Sequence, residues 1–85
     1  MSGPFIMTLN LITPFQKTTR TVAWLEIDTT VGNFVIEPEH APMILVLEKD
    51  SNIVFCLTSG KREKIQIKTG IVHIKRNLVT ILGDI

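Results

Sequence analysis

The 85-residue chain has one cysteine, no tyrosine, one tryptophan and no marked excess of either charge. A lone Cys56 forms no internal disulfide and excludes a multi-cysteine metal site. It lies in the apolar run Ile53-Val54-Phe55-Cys56-Leu57, where a free cysteine packs as a small hydrophobe, and it fits a reducing compartment. Nine Lys and Arg against eight Asp and Glu leave a net charge of +1. The basic excess with which a domain neutralises phosphates is therefore missing. Four Phe and one Trp offer few stacking platforms for single-stranded nucleic acid. The longest apolar run near the middle, Met43 to Leu47, falls far short of the ~20 residues that span a bilayer as a helix. The first residues have neither the basic start nor the apolar stretch of a signal peptide. A soluble chain without membrane insertion of its own is expected.

What is present reads as strands from end to end. A chain of this length buries only ~60–65 % of its unfolded surface, which leaves little for a deep catalytic cleft. Its 45 % hydrophobic and 20 % charged content suits one globular domain. β-Branched and aromatic residues dominate and are cut at short intervals by turn residues. Leu9-Asn10-Leu11 runs into Thr13-Pro14, and Thr18 to Asp28 follows, with Ala23, Leu25 and Ile27 expected on one face and Val22 and Trp24 on the other. Phe34-Val35-Ile36 leaves the Gly32-Asn33 turn, and Met43 to Glu48 follows the Pro-bracketed segment Glu37 to Pro42. Ile53 to Thr58 and Glu63 to Lys68 form a hairpin across Ser59-Gly60-Lys61-Arg62. The strict alternation of Lys64 to Lys68 turns Ile65 and Ile67 inward. Ile71 to Lys75 and Leu78 to Leu82 make a last hairpin through Arg76-Asn77.

No segment carries a helical period with caps. An all-β fold is predicted, a small flattened sandwich or barrel of about eight to ten short strands. Residues 1–6 lack the strand pattern and are expected to be a loose tail before a domain at 7–85. The predicted core is Leu11, Leu25, Ile27, Phe34, Ile36, Leu45, Phe55, Ile65, Ile67, Ile74 and Ile81.

Candidates for chemistry are few. A catalytic or metal-binding histidine needs converging partners, and neither His40 nor His73 has them in sequence. His40 is expected to hydrogen-bond backbone in its Pro-fixed loop, and His73 to lie on a strand surface. Ser51 and Ser59 lack a His–acid pattern, and no glycine-rich loop opens a helix for phosphate. No catalytic residue, metal site, cofactor or small-molecule substrate is predicted. The basic pairs Lys61-Arg62 and Lys75-Arg76 read as solvated hairpin ends.

Two segments carry a family pattern. Gly32-Asn33-Phe34-Val35-Ile36-Glu37-Pro38-Glu39-His40-Ala41-Pro42 resembles a stretch that runs Gly, acid, apolar, Gly, apolar, apolar, Pro, Gly, His, Ala, Pro. Thr69-Gly70-Ile71-Val72-His73-Ile74, with Asn77-Leu78-Val79-Thr80-Ile81-Leu82-Gly83-Asp84, resembles the Gly-Gly, strand, Asn, Val-Thr-Val-Leu-Ala-Asp close of the same family. Met7-Thr8-Leu9-Asn10-Leu11 with Thr13-Pro14 is similar to its first strand and turn. The family is the F-type ATP synthase epsilon subunit, and the likeness covers its N-terminal β-sandwich domain. Departures are Val31 and Asn33 in place of acids, and Val35, Glu39 and Thr69 in place of glycines.

The resemblance implies a non-catalytic rotor-stalk subunit that couples proton-driven c-ring rotation to ATP synthesis. It implies the gamma subunit and the c-ring as partners and a peripheral place at the cytoplasmic face of a bacterial inner membrane; against the family's C-terminal helical hairpin, a short form without it, natural or an excised domain, is expected here. By resemblance the loop Thr29, Thr30, Val31, Gly32 and Asn33 faces the ring, and His40, Ala41 and Pro42 face gamma. The alternatives are an epsilon-fold binding module outside the rotor and, below it, a small nucleic-acid-binding barrel.

Overall fold

Eight strands account for most of the chain in a computed structural model that describes residues 6–85. They are β1 (Met7–Ile12), β2 (Lys17–Thr29), β3 (Gly32–Ile36), β4 (Met43–Leu47), β5 (Ser51–Leu57), β6 (Arg62–Ile67), β7 (Thr69–Lys75) and β8 (Leu78–Asp84). The tail expected over residues 1–6 lies outside the described residues except for Ile6, which is exposed and in no strand.

Pairing runs β4-β7-β8-β1-β2-β5-β6, with β3 added to β2. Every pairing is antiparallel except that of β1 with β8. The expected hairpins form across Ser59 to Lys61 and across Arg76-Asn77. In the first, the Leu57 amide donates to the Lys61 carbonyl and the Gly60 amide to the Leu57 carbonyl, both at 2.8 Å. Gly60 takes φ +94°, a value L side chains resist, so glycine is needed there. The body measures 41 × 25 × 18 Å, a flattened sandwich.

The 13-residue β2 joins the two layers. Lys17 to Val22 pair with β1, and Leu25 to Thr29 pair with β3. Between Val22 and Trp24 the register against β5 shifts by one residue. This bulge overturns the expected faces of Val22 and Ala23, while Leu25 and Ile27 stand opposite Trp24 as expected. Val22 is buried together with Leu25 and Ile27, although it stands an odd number of positions from both, while Ala23 and Trp24 are only half-buried. One extra residue reverses the phase of everything beyond it.

The buried interior comprises Met7, Leu9, Val22, Leu25, Ile27, Ile36, Leu47, Ile53, Phe55, Ile67, Val72, Ile74, Val79 and Ile81. Leu11, Phe34, Leu45 and Ile65 pack against it half-exposed, so these four predicted core residues form its margin. Cys56 is free and buried, as its apolar surroundings predict.

Candidate functional site

The β2–β3 turn is built by Thr29. Its hydroxyl donates to the Gly32 carbonyl at 2.9 Å and accepts from the Val31 amide at 3.2 Å. Thr29 and Gly32 are the last paired residues, leaving Thr30 and Val31 as the tip. Val31 is 83 % exposed, and Asn33 lies one residue into β3, opposite Asp28. The loop is thus a small, neutral projection with an apolar tip.

His40, Ala41 and Pro42 lead into β4. The half-buried His40 directs Nδ1 at the Ala41 carbonyl, 2.7 Å away, a contact in which the ring nitrogen donates. His40 thus binds backbone, as expected. The five-residue β3, at about 3.4 Å per residue, separates this segment from the turn by roughly 15 Å, so the structure keeps the two predicted sites apart.

A side-chain clamp holds the His40 segment, and sequence reasoning missed it. Glu39 is the one non-glycine residue among the described residues with positive φ, at 67°. It occupies a place where the family pattern carries glycine. Its amide donates to the Arg76 carbonyl at 3.0 Å and to Asn77 Oδ1 at 2.8 Å. Its carboxylate accepts from Arg76 Nε at 2.6 Å and from the Asn77 amide, and pairs with the far end of the guanidinium. Hydrogen bonds from Arg76 and then Asn77 hold the Glu39 carboxyl below its usual range, and the same contact raises Arg76. The left-handed backbone is compensated by contacts that fasten the β3–β4 connection to the β7–β8 turn.

Beside this segment lies an apolar surface that was also missed. Cross-strand partners share a face. The registers therefore line up Val46, Ile71, Leu82 and Ile12 in one row across β4, β7, β8 and β1. The next row holds Ile44, His73, Thr80 and Asn10. Val46 is 62 % exposed, Ile44 64 %, Leu82 49 % and Ile71 46 %. The signal was legible, because Met43-Ile44-Leu45-Val46-Leu47 is apolar on both faces and such a strand is normally covered on both. His73 is exposed within this face. Among the described residues no three His, Cys, Asp or Glu side chains converge as a metal site would require.

Comparison with known proteins places this geometry. Residues 6–85 match the family described as ATP synthase, Delta/Epsilon chain, beta-sandwich domain. The ATP synthase epsilon chain of Ureaplasma urealyticum serovar 10 is 25 % identical over 77 residues, covering 89 % of this chain and 57 % of the relative. That of Ureaplasma parvum serovar 3 is 26 % identical with the same coverage. The chain thus spans just over half the length of these curated relatives. A chain of the Euglena gracilis mitochondrial ATP synthase, solved with OSCP, F1 and c-ring, superposes with a TM-score of 0.83 at 20 % identity, over 98 % of this chain and 53 % of its own. A chain from the central stalk and c-ring of the Tetrahymena thermophila mitochondrial enzyme gives 0.70 at 18 %, over 93 % and 63 %. These solved structures share the fold, and the match over residues 6–85 assigns the chain to the ATP synthase delta/epsilon β-sandwich domain family.

Proposed function

We propose that this chain is a non-catalytic central-stalk subunit of an F-type ATP synthase, coupling proton-driven c-ring rotation to ATP synthesis by binding gamma and the ring. The observation that carries the proposal is the row Val46, Ile71, Leu82 and Ile12, flanked by Ile44. A contiguous apolar patch on a rigid sheet is what a partner surface covers. It begins where His40-Ala41-Pro42 enters β4, so the gamma seat extends from that segment across β4, β7 and β8. The Glu39 clamp fixes the segment against the same hairpin. The ring contact falls to the β2–β3 turn, with Thr29, Thr30 and Asn33 as neutral hydrogen-bonding groups around the Val31 tip. The role is mechanical: a stiff sandwich transmits torque without bond chemistry and uses no cofactor. Its place is peripheral, at the cytoplasmic face of a bacterial inner membrane. Membership of the family and the ATP synthase context of the relatives support this reading.

Co-purification tests it. A tagged chain expressed with gamma and the c-ring should retain both. The variant Val46→Glu with Ile71→Glu alters exposed positions, so it should fold and lose gamma. Retention of gamma by that variant would move the contact elsewhere. Failure of the wild-type chain to retain either partner would favour an epsilon-fold module outside the rotor, a reading to which the missing acids at Val31 and Asn33 lend weight.

A further inference from the structure

The opposite layer carries a second surface that the stalk reading leaves unused. Trp24, the chain's only tryptophan, is half-buried on β2 directly after the bulge. Register places Trp24, Cys56 and Arg62 in one row, and Val35, Glu26, Val54 and Lys64 in the next. Between β2 and the end of β3 a groove of about 330 Å³ opens, lined by Trp24, Glu26, Val35 and Glu37. Arg62 reaches the indole from the β6 side, its guanidinium carbon 5.2 Å from the ring centroid. That distance is within cation–π range, so the indole already carries one cation on its β6 side.

The charged residues that line the groove are both acidic, while the cations Arg62 and Lys64 stand on β6, beyond β5. Among the described residues, the ion pairs of Arg20 and Lys61 go to Glu63 and that of Arg76 goes to Glu39. Glu26 and Glu37 have no cationic partner there, yet they flank the indole and the half-exposed Val35. Two unpaired carboxylates beside an aromatic face and an apolar wall suit one side-chain chemistry best. A guanidinium lays its plane on an indole, forks its N–H groups to carboxylate oxygens and rests its methylene stem on apolar surface. We propose that this groove docks an arginine side chain presented by a partner polypeptide. Regular alternation beyond the bulge sets Trp24 and Glu26 outward together while Leu25 and Ile27 go to the core.

Trp24 fluorescence reads the test directly, since no other tryptophan contributes. The probes are a glycine pentapeptide with a central arginine and its twin with citrulline, a neutral near-isostere, titrated onto the free chain at low salt. Losing the charge removes both the cation–π contact and the ion pairs, so the arginine peptide should bind about fivefold tighter or more. The double variant Glu26→Gln, Glu37→Gln should erase about that preference, while Arg62→Gln leaves it standing within roughly twofold. If the double variant fails to fold, Glu37→Gln alone, an exposed residue outside the strands, should still lower the preference measurably. Equal binding of the two peptides, an undiminished preference in the glutamine variants, or no saturable fluorescence change would each overturn the proposal. The outcome is independent of whether the chain binds gamma or the ring.

Discussion

Gly70→Ala puts a methyl group where β7 and β8 come closest. Gly70 and Gly83 are direct partners in that pairing. A Cβ built on Gly70 would stand 2.5 Å from the Leu82 carbonyl oxygen and 3.0 Å from the Gly83 Cα. Both obstacles are backbone, so no side chain can rotate away and the ladder itself must shift. In an unobstructed strand, glycine to alanine gains ~0.5–1 kcal/mol through backbone entropy. Here overpacking costs ~1–3 kcal/mol instead. A domain of this size loses ~4–8 °C of Tm per kcal/mol, so the melt should fall by roughly 5–20 °C. Far-UV circular dichroism melts and urea titrations read this, with the urea midpoint lowered and the slope unchanged. A Gly70→Ala chain that melts at or above the wild-type temperature would refute the close approach of the two strands.

Leu25 is fully buried between its partners Ile36 and Phe55, so Leu25→Ala should cost ~2–5 kcal/mol, and half-buried Phe34→Ala should cost less; the reverse order in urea titrations would invert the assignment of core and margin. Glu39 titrates below its ordinary value of 4.5 when folded, so its stabilising contribution is complete above that pH and lost as pH falls through the lower folded value. The stability gap between wild type and Glu39→Gln should accordingly close on acidification, and a gap that is constant from pH 7 to strong acid would show that the carboxylate charge is not what secures the clamp. At the same position Glu39→Gly should melt above Glu39→Ala, because only glycine is at ease at φ 67°; identical melts would show that the backbone carries no strain there. Neutral hydrogen bonds respond little to salt, so binding to a gamma–ring complex should change less than about tenfold between low and physiological salt and should weaken in Asn33→Ala; a steep salt dependence would shift the contact to Lys61, Arg62, Lys75 and Arg76.

Strand identity was legible because alternation and turn residues are local. Lys64 to Lys68 and the two hairpins at Gly60 and Asn77 could be placed from adjacent residues alone. The bulge at Val22–Trp24 could not, since the run from Thr21 to Leu25 holds no glycine and the shift shows only against β5. It reversed the faces assigned to Val22 and Ala23, while Trp24 kept its expected place opposite Leu25 and Ile27. The Glu39 clamp was illegible for a different reason: Glu39 and its partners stand 37 and 38 positions apart, and Arg76 reads in sequence as an ordinary solvated hairpin end. The exposed row of Ile44, Val46, Ile71 and Leu82 lay between these cases. An apolar run on both faces of β4 marks coverage, but only the topology says that β7 and β8 extend the same face.

Coupled ATP synthesis tests the stalk assignment most directly. Membrane vesicles holding an ATP synthase stripped of its own epsilon subunit would be energised by a proton gradient, and ATP formation measured with and without this chain. The wild-type chain should restore synthesis, and Val46→Glu with Ile71→Glu, folded by circular dichroism, should not. Synthesis that the wild-type chain leaves unrestored, or that the variant restores equally well, would contradict the stalk assignment.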